Sequence, residues 1–128
     1  MEVVSIVGLL ALVQYLYFLI QAGRARVEYE VEAPAVSGHA LFERRLRVQQ
    51  NTLEQLIIFL PALWCFARYV NPAAAAVLGL FFILGRGLYS AGYVSEPKKR
   101  TMGMTITFIV EIILLGGSLI WAMLAWWV

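Results

Sequence analysis

Several residue types that build common functional sites are scarce in this 128-residue sequence. Cys65 is its single cysteine and His39 its single histidine. One cysteine cannot form a disulfide within the chain, and this supply is too small for a zinc site made of cysteine and histidine. The formal net charge is only +2, which gives no electrostatic support for binding a nucleic acid. We therefore predict neither a metal site nor a nucleic-acid partner.

Apolar residues, by contrast, are abundant and account for 62% of the chain. They form four segments, each close to the roughly 20 residues that a helix needs to cross a bilayer. Because backbone polar groups in lipid must bond within their own segment, these segments are expected to be helical. We predict an all-α integral membrane four-helix bundle, with residues 1–128 as a single domain. The predicted spans run from about Val3 to Ala22, Leu53 to Val70, Ala73 to Tyr93 and Met104 to Val128.

The basic residues predict how the chain crosses the membrane. The connection between the first two spans contains arginines 24, 26, 44, 45 and 47, and the third connection contains Lys98, Lys99 and Arg100. Arg68 alone lies in the second connection. Short loops rich in lysine and arginine face the cytoplasm. We therefore place the first and third connections at the cytoplasmic face and both termini on the opposite side.

A polar stripe leads into the second span. On a helix, five of its residues fall within an arc of roughly 100°, namely Arg44, Arg47, Asn51, Glu54 and Gln55. One interpretation is a solvated helix end whose arginines reach lipid phosphates, and it is favoured for Arg45. It explains Asn51 and Glu54 poorly, because a carboxylate near the membrane interior is costly unless it is paired.

The third span has a similar polar face. Arg86, Tyr89 and Tyr93 are spaced i, i+3 and i+7, which places them on one side of a helix. A belt of tyrosines beside an arginine that reaches the membrane surface is an equally good interpretation of this segment alone. Arg100, Arg24 and Arg26 lie at the same cytoplasmic level, so the cations, phenols and amides of several helices are expected to gather there.

Such a set suits a ligand with several anionic groups and one cationic group. Arginines bind carboxylates through two parallel hydrogen bonds, and Glu54 can accept an ammonium group. The side-chain amides of Asn51, Gln49 or Gln55 can bond a peptide backbone, and a tyrosine or arginine can hold a thiolate and lower its pKa. Glutathione, a zwitterionic thiol tripeptide, meets all of these demands as a co-substrate.

The same residues resemble the signature of the MAPEG family, the membrane-associated proteins of eicosanoid and glutathione metabolism. The resemblance rests on Glu43-Arg44-x-x-Arg47-x-Gln49-x-Asn51-x-x-Glu54, followed by Phe59-Leu60-Pro61. A second motif, Arg86-x-x-Tyr89-x-x-Gly92-Tyr93 with Arg100, lies at the expected separation. Together the matches extend over essentially the whole chain.

The resemblance implies a homotrimer in which glutathione lies between subunits near the cytoplasmic face. It implies a glutathione transferase, with glutathione peroxidase activity on lipid hydroperoxides as a further expectation. Arg100 would be catalytic and favour the thiolate, and a hydrophobic crevice between subunits would take a lipophilic electrophile from the membrane lipids. The implied glutathione-binding residues are Arg26, Arg44, Arg47, Gln49, Asn51, Glu54, Arg86, Tyr89 and Tyr93. Of these, Arg26 and Gln49 would come from an adjacent wall of the glutathione site.

Three positions depart from the leukotriene C synthase branch of the family. That branch has an arginine where this chain has Val27, and tyrosines at the positions of Leu46 and Gln55. The chain is therefore closer to microsomal glutathione transferases and their bacterial relatives, and less like a prostaglandin E synthase. The expected location is a bacterial inner membrane, or the endoplasmic reticulum in a eukaryote.

Two other function classes are considered. One is a non-catalytic lipid-binding or lipid-presenting protein of the same fold, which the retained site residues disfavour. The other is a small multidrug exporter, which relies on a carboxylate within the first span; here that span contains none.

We also predict the surroundings of four further residues within the spans. Gln14 and Ser118 are expected to hydrogen-bond across helices, and Cys65 is expected to be buried in apolar packing. Glu111, near mid-membrane, is expected to have a structural role inside the bundle, with no partner assigned.

Overall fold

The computed structural model describes residues 1–128 and contains four long helices and no strand. The helices are α1 (Glu2–Glu28), α2 (Ala40–Tyr69), α3 (Pro72–Ser95) and α4 (Thr101–Trp127). A short 3-10 helix, Pro97–Arg100, precedes α4. The predicted all-α bundle is therefore confirmed, and the polar residues from Arg44 to Gln55 extend the second predicted span as part of α2.

Three of the four helices are long and apolar enough to cross a membrane. They are α1, α3 and the segment Pro97–Trp127 that contains α4. The remaining helix, α2, has a polar first half that includes Glu54, and Arg68 lies near its end. Its apolar part from Leu53 onward stays a predicted span. The assignment of the cytoplasmic face also stays a prediction.

Local sequence signals explain where two of the helices begin. The His39 side chain accepts a hydrogen bond from the Leu41 amide at 3.2 Å, and this satisfies one of the free N–H groups at the start of α2. Asn71 caps α3 in the same way by accepting from the Ala74 amide at 2.9 Å, and Pro72 is its first helical residue. Proline suits this position because no N–H is needed there.

Helices α2 and α3 form the centre of the bundle, and each packs against all three other helices. Phe59 of α2 and Phe82 of α3 stack with ring centroids 3.8 Å apart, and both are fully buried. Leu63 and Leu114 join the same core and are also fully buried. The outer surfaces of α1 and α4 expose many large apolar side chains, as expected for helices that face lipid.

Polar groups also join the helices within the apolar region. The Gln14 amide donates to the Ile83 carbonyl oxygen at 2.9 Å, which links α1 to α3. The Ser118 hydroxyl is within hydrogen-bond distance of the Leu114 carbonyl oxygen of its own helix at 2.5 Å and of the Ala62 carbonyl oxygen at 3.2 Å, and the second contact links α4 to α2. Both predicted cross-helix hydrogen bonds are therefore confirmed.

The expectation for Cys65 is wrong in this structure. Its side chain is exposed on the outer face of α2. It lines a groove between α2 and α4 with a volume of about 360 Å³. We call this surface the Pro61 groove; its lining includes Ile57, Ile58, Pro61, Leu115 and Leu119. The surroundings of Cys65 are apolar, as expected, but they lie at the surface because the groove between α2 and α4 is open.

Glycines allow α3 and α4 to approach closely near Tyr89. A Cβ atom added at Gly103 would overlap the backbone nitrogen and Cα of Tyr89 and the carbonyl oxygen of Gly85. Backbone atoms cannot rotate away as a flexible side chain can. The close approach of these helices therefore requires glycine at position 103, and it brings the start of α4 against Tyr89.

We expect Gly103→Ala to destabilise the protein by about 1–3 kcal/mol, because the added methyl group forces two helix backbones apart. The measurement is the thermal unfolding temperature in detergent. Gly116→Ala is the matched control on the same helix, since an added Cβ there has no neighbour within 4 Å. Equal melting temperatures for the two variants would contradict the close helix contact.

Candidate functional site

A cleft between the ends of α2, α3 and α4 contains half of the predicted site residues. Its volume is about 350 Å³. We call it the Arg47 cleft; its lining residues are Arg47, Asn51, Tyr89, Tyr93, Arg100 and Met104. The first five are predicted site residues that lie on three different elements. The structure therefore brings together side chains that are up to 53 residues apart in sequence (100 − 47).

Each wall of the Arg47 cleft is built from two residues four positions apart. Arg47 and Asn51 form such a pair on α2, Tyr89 and Tyr93 on α3, and Arg100 and Met104 at the start of α4. Residues i and i+4 lie above one another on the same face of a helix. The two tyrosine rings stack with centroids 5.6 Å apart and planes 12° apart, so they form a rigid wall opposite α2.

The charges of the Arg47 cleft favour an anionic ligand. Its lining contains two guanidinium groups and no carboxylate. The two ion pairs in the structure are Met1 with Glu2 and Lys99 with Glu96. Arg47 and Arg100 are therefore both without a carboxylate partner. Guanidinium groups bind carboxylates with directional, charge-assisted hydrogen bonds.

Arg86 lies behind the cleft and not in its lining. It is fully buried, and one guanidinium nitrogen donates to Asn51 Oδ1 at 2.7 Å and to Thr52 Oγ1 at 3.1 Å. The same guanidinium lies 4.3 Å from the centre of the Tyr89 ring. Arg86 thus fixes one cleft residue on α2 and another on α3. In this structure it acts on the cleft through Asn51 and Tyr89.

A second polar pair lies deeper in the bundle. With its amide nitrogen turned towards α4, Gln55 donates to both carboxyl oxygens of Glu111 at 2.7 Å. Glu111 is 5% exposed, and it lies close enough to Arg86 for electrostatic attraction without a direct ion pair. Gln55 follows Asn51 by one helical turn. The partner that sequence analysis left unassigned for Glu111 is therefore Gln55.

Three predicted site residues point elsewhere within the single chain. Arg26 donates to the carbonyl oxygens of Val31 at 3.3 Å and Ala35 at 2.8 Å. The Gln49 amide donates to the Tyr15 hydroxyl at 3.0 Å on α1. Arg44 donates to the Val94 carbonyl oxygen at 3.1 Å.

Glu54 is exposed and does not line the Arg47 cleft. It follows Asn51 by three residues and Arg47 by seven, so it continues the same face of α2 towards the membrane.

Met104 and Thr52 are residues at the site that were not predicted from the sequence. Met104 lines the cleft, and its sulfur lies 3.6 Å from an Arg86 guanidinium nitrogen. The i, i+4 spacing from Arg100 would have indicated it, once α4 was known to begin at Thr101. Thr52 is fully buried and accepts from Arg86. No spacing rule on α2 marks it, because it lies beside the polar stripe and not on it.

The Gln55–Glu111 pair predicts a positive coupling in a double-mutant cycle. Gln55→Leu leaves the buried Glu111 carboxyl without its partner, and Glu111→Leu leaves the half-buried Gln55 amide without its partner; such a loss costs about 1–3 kcal/mol. The double variant removes both groups, so we expect its loss of stability to fall short of the sum by about 0.5–3 kcal/mol. Chemical unfolding in detergent measures the three values. Simple additivity would contradict the hydrogen-bonded pair.

Comparisons with known proteins show the family of the chain. The profile of the MAPEG family matches residues 4–120. The chain is 47% identical over 116 residues to a Synechocystis protein named "Uncharacterized protein sll1147", covering 91% of this chain and 85% of that one. It is 42% identical over 114 residues to human microsomal glutathione S-transferase 2, covering 88% and 78%. It is also 36% identical over 94 residues to rat leukotriene C4 synthase, covering 73% and 63%. The chain therefore belongs to the MAPEG family.

Proposed function

We propose that this protein is a membrane-bound glutathione transferase that holds glutathione in the Arg47 cleft and activates it as a thiolate. The sulfur lone pair then forms a bond to an electrophilic atom of a lipophilic substrate, whose leaving group departs with the bonding electrons. The thiol proton passes to water. Reduction of lipid hydroperoxides is a second activity of the proposed site: two glutathione molecules are oxidised to their disulfide, and the hydroperoxide is reduced to an alcohol and water. Relatives named glutathione S-transferase support this class of reaction.

The observation that carries the proposal is the convergence of Arg47 and Arg100, both free of carboxylate partners, on one cleft. In the proposed complex Arg47 binds a glutathione carboxylate, and Asn51 bonds the peptide backbone. Glu54, on the same face of α2, accepts the ammonium group. The stacked Tyr89 and Tyr93 rings form the opposite wall and offer hydroxyl groups to the peptide.

Arg100 is proposed as the catalytic residue. A thiolate, and not a thiol, is the nucleophile. A fixed guanidinium near the sulfur stabilises the negative charge and so increases the thiolate fraction at neutral pH. The Arg100 guanidinium donates to the Pro97 carbonyl oxygen at 3.1 Å, which holds it at the start of α4.

Assembly as a homotrimer is part of the proposal. Arg26 and Gln49 do not line the Arg47 cleft of their own chain, and in the proposed trimer they face the cleft of a neighbouring copy. Arg44 ties α2 to the end of α3 and would support the cleft indirectly. The basic residues around the cleft support a position at the cytoplasmic face, and the proposed membrane is a bacterial inner membrane or a eukaryotic endoplasmic reticulum.

The lipophilic substrate is proposed to enter from the bilayer. The Pro61 groove is lined mainly by apolar side chains and opens on the outer surface of α2 and α4. Such a surface suits one wall of a crevice between subunits. Binding both reactants in one geometry converts a bimolecular step into an effectively unimolecular one, which lowers the barrier.

Replacement of Arg100 should reduce turnover more than binding. We expect Arg100→Ala to lower kcat for a chlorinated nitrobenzene by about 100-fold to 1,000-fold, as for loss of one charge-stabilising donor. The thiolate of bound glutathione should then form only near the ordinary thiol pKa of about 8.5. Ultraviolet absorbance against pH measures this. Lys98→Ala, a nearby exposed cation outside the cleft, is the control. Unchanged turnover in Arg100→Ala would remove Arg100 from the mechanism.

Replacement of Arg47 should weaken binding of glutathione. We expect Arg47→Ala to raise the Kd for glutathione about tenfold to hundredfold, because the variant loses a charge-assisted hydrogen bond. Calorimetry in detergent measures the Kd, and Lys98→Ala is the control. Wild-type protein that neither binds glutathione nor forms a thiolate at neutral pH would instead favour the lipid-presenting alternative.

A further inference from the structure

A second cationic pocket lies at the same end of the bundle as the Arg47 cleft, between the end of α1, the start of α2 and the end of α3. Its volume is about 180 Å³, roughly half that of the Arg47 cleft. We call it the Arg24 pocket; the lining residues that matter here are Gln21, Arg24, Glu28, Leu41, Arg45 and Val94. None of the proposed glutathione-binding residues is among them.

Helix geometry separates the two sites. The sequence contains two Arg-x-Arg motifs, Arg24-Ala25-Arg26 and Arg45-Leu46-Arg47. Residues two apart on an α-helix point about 200° away from each other. Arg47 therefore lines the Arg47 cleft while Arg45 lines the Arg24 pocket on the other side of α2. The first residues of both motifs, Arg24 and Arg45, meet in the Arg24 pocket.

The charged groups of the Arg24 pocket are not paired with one another or with other residues of the protein. Arg24, Arg45 and Glu28 all line it, yet none of them forms an ion pair. Two guanidinium groups that face one cavity repel each other unless an anion lies between them. The carboxylate of Glu28 remains free to accept a positive group. The pocket is therefore complementary to a ligand with one anionic and one cationic group.

The walls of the pocket are held by contacts of their own. Arg44 donates to the carbonyl oxygen of Val94, which fixes the start of α2 to the end of α3. Tyr29, at the end of α1, stacks on His39 with ring centroids 3.7 Å apart. The cavity is thus framed by contacts that join all three helices, and the two arginines that line it take no part in them.

The position of the pocket favours a lipid. Ile20 and Tyr17 precede Arg24 by four and seven residues on the same face of α1, and both are about half exposed. Ile20 lies about 6 Å along the helix axis from Arg24. An apolar track on a membrane-crossing helix therefore leads directly to the cationic pocket. Arginines at such membrane ends bind lipid phosphates.

We propose that the Arg24 pocket binds the headgroup of a phospholipid that contains both a phosphate diester and a primary amine. Arg24 and Arg45 bind the phosphate, and Glu28 and Gln21 accept hydrogen bonds from the ammonium group. The acyl chains lie along Tyr17 and Ile20. The proposal does not rest on the proposed glutathione chemistry.

The test is the retention of phosphatidylethanolamine by the full chain, counted by native mass spectrometry after exchange into a mixed phosphatidylcholine nanodisc. We expect wild-type protein to retain one phosphatidylethanolamine per chain. Arg24→Gln/Arg45→Gln should reduce this retention about tenfold or more, as for loss of charge-assisted hydrogen bonds. Arg68→Gln is the matched control, since Arg68 lies at the other end of α2 beside Tyr69. Equal retention by the double variant, or an equal loss in Arg68→Gln, would overturn the proposal.

Two measurements keep the test decisive if the double variant does not fold. Glu28→Gln should abolish the preference of the protein for phosphatidylethanolamine over phosphatidylglycerol; an unchanged preference would refute the role of the amine. Soluble glycerophosphoethanolamine should displace the lipid from wild-type protein, whereas inorganic phosphate at the same concentration should not. Displacement by phosphate alone would make this a free-anion site.

Glutathione affinity separates this proposal from the proposed function. We expect Arg24→Gln/Arg45→Gln to bind glutathione as tightly as wild-type protein does, because the Arg47 cleft is on the other side of α2. A parallel loss of lipid and glutathione would assign the pocket to the peptide site and overturn the lipid proposal.

Discussion

The buried guanidinium of Arg86 is the interaction on which the candidate site depends. It is fully excluded from the surface, and it holds Asn51 and Thr52 of α2 while lying over the ring of Tyr89 on α3. A buried charge is costly unless its hydrogen bonds are made. The two helices are held in an arrangement that gives one guanidinium nitrogen two acceptors, Asn51 and Thr52, while Nε has no hydrogen-bond partner. That same arrangement sets one wall of the Arg47 cleft opposite the other.

The polar half of α2 serves two faces of the bundle at once. Arg47 and Asn51 face the cleft with Arg100, while Arg45 faces the Arg24 pocket with Arg24. Below them, Gln55 and Glu111 continue the polar contacts into the apolar core. Cations on both sides of one helix give this end of the molecule two separate anion-attracting sites. In our account one holds a thiol peptide and the other anchors a lipid headgroup.

Helix positions, and the residues that share one face of a helix, could be predicted from sequence, because apolar run length and i, i+4 spacing are local properties. They correctly predicted a four-helix chain. The grouping of Arg47, Asn51, Tyr89, Tyr93 and Arg100 was instead expected from their common level at one membrane face and from the resemblance to the family. Long-range contacts could not be predicted in the same way. The burial of Arg86, the partner of Glu111 and the exposure of Cys65 all depend on which helix packs against which face. Arg26 and Gln49 are a further case, since their contacts within one chain do not reach the cleft.

The central claim is that Arg47 and Arg100 together hold an anionic thiol peptide in one cleft. A cryo-electron microscopy structure of the protein in nanodiscs with glutathione tests it most directly. The account predicts density for the tripeptide in the Arg47 cleft, with a carboxylate on Arg47 and the sulfur within hydrogen-bond distance of Arg100. Glutathione bound elsewhere, or Arg47 and Arg100 directed apart into lipid or water, would contradict it.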